Sequence, residues 1–151
     1  MTAIALALHI LLAIVWVGGM VFAVMVLRLA AGELEPPVRA PLWARTFKKF
    51  FPWVWMAVVL LPVTGYVMIF NVWGGFAGLP MHVNIMHGLG WVMIAIFLHL
   101  WFAPYRRFRA AVDAADYPTA GKNLNQIRRL VTANMWIGLA VSAIGATGRY
   151  W

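Results

Sequence analysis

Three of the chain's four histidines lie between positions 82 and 99. They fall in Met81-His82-Val83-Asn84-Ile85-Met86-His87-Gly88 and the apolar run that follows, and the fourth is His9. A neutral imidazole presents a nitrogen lone pair to a transition metal. Met81 and Met86, interleaved with His82 and His87, add soft thioether sulfurs, a donor set suited to Cu(I). Ionisable side chains are costly in hydrocarbon, so histidines inside a membrane span are read first as functional.

The elements that position these groups follow from composition. The 151 residues are 64% hydrophobic and 11% charged, with nine Trp and nine Phe. That is more apolar surface than one small soluble core can hide, and it implies an all-α integral membrane protein. There is no cysteine, which excludes disulfides, thiolate metal sites and covalent c-type haem. The net charge of +8 sits in connections between apolar runs, where the orientation rule for membrane proteins accounts for it and a nucleic-acid partner is not needed.

Four runs are long enough to span, at about 4–27, 52–70, 82–103 and 130–147, giving a single-domain four-helix bundle over 1–151. The first is too long for the apolar core of a signal peptide and has no basic lead, so it is expected to be retained. Residues 28–49, with Glu33, Glu35 and three prolines, read as a solvated connection. Residues 42–51 within it are expected to lie along the headgroups as an amphipathic helix. Pro52 suits a first turn and Pro62 a kink that Thr64 and Gly65 help absorb. Residues 109–129 read as a loop leading into a helix start. Gly138, Ser142 and Ala146 form a small-residue stripe for contact within the bundle or across a homodimer, the oligomer expected here.

Eleven of the twelve Lys and Arg fall in the first and third connections. These are therefore expected on the cytoplasmic side of a bacterial inner membrane, with both termini outside. His9 and His87 then sit about 8 Å below the same outer surface, where they can share one ligand. His99 lies about 18 Å deeper with no partner at its level, and a hydrogen-bonding role between helices is its alternative. His82 at the interface reads equally as a snorkelling residue. Ala13 and Trp16 follow His9 by one and two turns, and Gly90 and Trp91 follow His87 on one face. Small residues beside each imidazole leave room for a flat ring, and facing imidazoles in a helix bundle are a usual way to hold haem iron. Arg149, the one cation on the outer side, is placed to meet a haem propionate, with Tyr150, Asn84 and Trp73 on the same rim. It also fits as a helix-end residue. The remaining methionines read as core filler.

The opening Leu8-His9-Ile10-Leu11-Leu12-Ala13-Ile14-Val15-Trp16-Val17-Gly18-Gly19-Met20, with Arg28 at the end of the run, resembles the first helix of the CopD-like membrane family, whose relatives include the HemJ-type protoporphyrinogen oxidases. The resemblance implies a four-helix membrane protein of copper handling or of b-type haem and porphyrin redox chemistry, with His9 as the family's first-helix histidine. His87 stands where HemJ-type proteins carry a lysine, which favours bis-histidine haem over porphyrinogen oxidation. No acid and base pair lies in the spans to support an oxidase. The expectation is a b-type haem protein, His9 and His87 on the iron, working in redox or electron transfer as a membrane oxidoreductase with an unnamed electron partner. Copper transport or resistance through Met81, His82, Met86 and His87 is the alternative.

Overall fold

The computed structural model describes residues 1–150, the side chain of Arg149 excepted. It contains four helices long and apolar enough to cross a membrane: α1 (Thr2–Gly32), α2 (Pro36–Trp73), α3 (Met81–Asp113) and α4 (Tyr117–Thr147). No strand occurs among the described residues. In hydrocarbon every backbone polar group must find its partner within the chain, and a helix does this locally. α1 packs chiefly on α2 and α3 on α4, and α1 also touches α4.

The connections are more helical than the sequence suggests. α1 continues through Arg28 to Gly32, and α2 begins at Pro36 directly after an extended Glu35, the position where proline's fixed φ and missing N–H are tolerated. Residues 42–51 do not form a separate helix along the headgroups. They are the first turns of α2, because Trp43, Phe47 and Phe51, spaced four apart, bury a continuous stripe inside the bundle. Phe47 stacks on Phe51 at 5.0 Å between ring centroids, and Tyr105 meets the edge of Phe51 at 4.7 Å. The expected loop at 109–129 is likewise helix on both sides of a short turn. Asp116 caps α4 by accepting from the Thr119 N–H at 3.1 Å.

Pro41, Pro52 and Pro62 all lie inside α2, so Pro52 is mid-helix and not in a first turn. Pro104 sits in a wide π turn, Trp101–Tyr105, where the looser register accommodates a residue with no N–H. A second π turn, Ala23–Leu27, interrupts α1.

The two ends of the bundle are packed differently. Towards the end carrying Arg106 and Arg107, the space between α1, α2 and α3 is filled by interlocking aromatics, with Trp16, Phe51, Trp55 and Trp101 around Phe97 and Phe108 fully buried. The end carrying His9 and His87 is hollow. Where α4 passes α1 and α3, Gly138 permits close approach: a Cβ there meets Val17 at 2.8 Å and Met93 at 3.0 Å. The small-residue stripe therefore turns into the bundle at Gly138. Nearby, buried Asn134 donates across the helices to the Met93 carbonyl at 3.3 Å.

Gly138→Ala is expected to lower thermal stability in detergent through overpacking, by about 1–3 kcal/mol. Gly88→Ala, where nothing lies within 4 Å of the new Cβ, should be neutral or stabilising by up to about 1 kcal/mol through helix propensity. Equal melting shifts for both would contradict this packing.

Candidate metal centre

His9 and Thr64 meet between α1 and α2, with Nδ1 and Oγ1 2.8 Å apart. Their protons can be assigned from the neighbours. The Thr64 hydroxyl donates back to the helix carbonyls of Leu60 at 2.8 Å and Leu61 at 3.1 Å, so its oxygen is left to accept from His9 Nδ1–H. With that proton on Nδ1 the ring is the neutral tautomer whose Nε2 lone pair is open to ligation, the outer-shell arrangement that prepares a histidine for a metal.

His87 is held differently. Its Nε2 lies 3.1 Å from the Tyr66 hydroxyl and 3.2 Å from Trp91 Nε1, and the indole nitrogen is also 3.3 Å from the Tyr66 oxygen. An indole N–H only donates, so His87 Nε2 is the acceptor in this cluster and its proton sits on Nδ1. Trp91 reaches it from one turn along α3. The rings of Tyr66 and Phe76 pack edgewise on the imidazole at 5.6 and 5.7 Å. One histidine thus offers a free lone pair, and the other has its lone pair engaged by Tyr66 and Trp91.

Both imidazoles line one cavity of about 510 Å³, which Ala13, Trp16, His82, Met86, Gly90 and Trp91 also line. The structure therefore brings together eight of the residues singled out in the sequence. Two others lie elsewhere, and a third is outside the described side chains. Met81 is 72% exposed and does not line the cavity. His99 is exposed, twelve residues beyond His87 along α3. Arg149's side chain lies outside the described residues. Of its expected rim partners, Trp73 lines the cavity, Tyr150 is exposed, and Asn84 is an exposed residue in the first turn of α3 donating to the Leu79 carbonyl at 3.2 Å.

α2 supplies what the sequence reading did not assign. Thr64 and Gly65 appeared there only as relief for Pro62, and Tyr66 and Met68 had no role. The available signal was depth, since Pro62-Val63-Thr64-Gly65-Tyr66 places two polar side chains at the level of His9 and His87. Met68, Met86 and Met93 all line the cavity. Two of these thioethers rest against glycines of α4 two turns apart: a Cβ at Gly145 meets the Met86 methyl at 2.8 Å, and one at Gly138 meets that of Met93 at 3.0 Å. No carboxylate lines the cavity, and no group of three or more His, Cys, Asp or Glu placed to hold a metal occurs among the described residues. Apart from the Tyr66 and Ser142 hydroxyls, its side-chain donors are imidazole nitrogen and thioether sulfur, and not the carboxylate-rich oxygen set that calcium requires.

The proton assignment is directly measurable. Nitrogen-15 histidine spectra should show His9 protonated at Nδ1 and bare at Nε2. Thr64→Val removes the acceptor, and with a hydrogen bond contributing about 0.5–1.5 kcal/mol the tautomer preference should fall severalfold. A bare Nδ1 in the wild type would contradict the assignment.

The profile of a family described as copper resistance protein D matches residues 44–147. The match covers most of α2 and all of α4 with what lies between, so His87 falls inside it and His9 before it. Comparison with curated proteins and with solved structures returns no match.

Proposed function

The chain belongs to the copper resistance protein D family, and from that premise we propose that this integral membrane protein handles copper, taking Cu(I) as cargo in the cavity lined by His9. The observation that carries the reading is the 2.8 Å contact of His9 Nδ1 with Thr64, which turns the other ring nitrogen to ligation, in a cavity shared with the thioethers of Met68, Met86 and Met93. Neutral imidazole and thioether are uncharged, so they hold a soft monovalent ion without burying an anion in the membrane. His87 and His82 line the same cavity and extend the donor set. Ligation by His87 Nε2 requires release from Tyr66 and Trp91, which makes it a conditional donor and suits it to hand an ion on.

A second reading, a b-type haem, is favoured by size. About 510 Å³ is far more room than one ion occupies, and Ala13 and Gly90 open space beside the two imidazoles. His9, with His87 after release from Trp91 and Tyr66, would hold the iron, and the haem would supply one-electron redox chemistry.

Anaerobic competition against a chromophoric Cu(I) chelator, in detergent and after recording the visible spectrum, separates the two. On the copper reading the protein is colourless and binds Cu(I). His9→Ala should then weaken binding by about tenfold or more, the scale of a lost ligand or outer-shell partner, and Met86→Leu, which keeps shape but removes sulfur, should weaken it less. A Soret band lost in both His9→Ala and His87→Ala establishes haem instead. A colourless protein whose Cu(I) affinity is unchanged in His9→Ala overturns both.

A further inference from the structure

A second cavity, of about 460 Å³, opens at the opposite, basic end of the bundle, between the end of α1, the start of α2 and the first half of α4. Each helix contributes one arginine to its lining: Arg28, Arg39 and Arg128. Arg39 and Arg128 are half-buried and Arg28 is exposed. No carboxylate lines the cavity, although Glu33 and Glu35 lie close by in the chain.

The orientation rule explains an excess of positive charge at one end of a membrane protein. It does not require convergence, since Lys48, Lys49 and Arg129 satisfy it while exposed and outside this cavity. Three like charges drawn into one half-buried cleft repel each other unless an anion lies between them. Arginine in particular matches phosphate oxygens through paired N–H donors.

The remaining walls say what kind of anion. Val24 lies one turn back from Arg28 towards the middle of α1, Phe47 two turns along α2 from Arg39, and Val131 one turn into the apolar part of α4 from Arg128. All three line the same cavity. The π turn Ala23–Leu27 widens α1 at this level, where Ala23 and Val24 form the wall. The cleft is therefore cationic at its mouth and apolar along the spans, which is the shape of an amphiphile lying against the bundle.

We propose that this cleft binds an anionic phospholipid, its phosphate held by Arg28, Arg39 and Arg128 and its acyl chains laid along Val24, Phe47 and Val131. The phosphate is the shared chemistry of a lipid headgroup and of a free anion, and the apolar walls favour the lipid.

Native mass spectrometry from detergent, with phosphatidylglycerol and phosphatidylcholine added in equal amounts, tests this and reads nothing from the outer cavity. The wild type should retain phosphatidylglycerol preferentially. Arg28→Gln/Arg39→Gln/Arg128→Gln should lose that preference by about tenfold, and the charge-matched Lys48→Gln/Lys49→Gln/Arg129→Gln should keep it. Arg28→Lys/Arg39→Lys/Arg128→Lys preserves charge and bulk, and should still weaken retention severalfold because the paired donors are gone. Equal preference in the cleft and control triples, or full preference in the lysine triple, overturns the site. Inorganic phosphate that displaces the lipid completely identifies a free-anion site and overturns the lipid assignment.

Discussion

A threonine hydroxyl has one proton to give, and Thr64 gives it to the backbone of its own helix, with Leu60 and Leu61 carbonyls both within reach. Its oxygen can then only accept, and what it accepts is the Nδ1 proton of His9. This single commitment orients the imidazole, satisfies a polar group within the bundle, and leaves Nε2 as the nitrogen open to the proposed ion. Thr64 is two residues past Pro62, where α2 already lacks one backbone donor, so that missing donor and the contact with His9 occupy the same turn of helix. The opposite wall follows different logic: the indole of Trp91 can only donate, and this engages the lone pair of His87. The site is asymmetric because its two histidines face partners of opposite hydrogen-bonding character.

The bundle around this site divides its packing between its ends. Aromatic side chains from α1, α2 and α3 interlock around Phe97 and fill the space between these three helices. Towards the histidines the large side chains give way to Ala13, Gly65, Gly90 and Gly145, and the space they release is the cavity. The glycines of α4 serve two ends at once. Gly138 lets α4 approach α1 and α3, and it seats the Met93 thioether; Gly145 seats that of Met86. A membrane bundle gains nothing from burying apolar surface away from lipid, so such close contacts carry much of its cohesion.

Much of this was legible in the residues alone. Counting depth along two apolar runs was enough to bring His9 and His87 to one level, because a helix converts sequence position into height with little error. The small and indole-bearing neighbours followed from the same helical spacing. The connections were misread because charge and proline were weighed as loop signals, whereas Trp43, Phe47 and Phe51 form a stripe that holds the basic start of α2 inside the bundle. Met81 was grouped with Met86 by proximity in sequence, but it begins α3 five residues earlier and stands outside the cavity, at 72% exposure. The roles of Thr64 and Tyr66 could not be read from their own helix, since each depends on what a neighbouring helix presents to it. The basic cleft was invisible for the same reason: its three arginines come from three helices and meet only once the bundle is assembled.

The central claim is that the cavity is a soft-donor site anchored by His9. X-ray absorption at the copper edge, on protein loaded anaerobically with Cu(I) in detergent, examines those donors directly. The expected spectrum contains imidazole nitrogen together with sulfur scatterers, in a protein whose only sulfur comes from methionine. A Cu(I) spectrum with light scatterers alone, or one in which the imidazole contribution is the same in His9→Ala, would contradict the account.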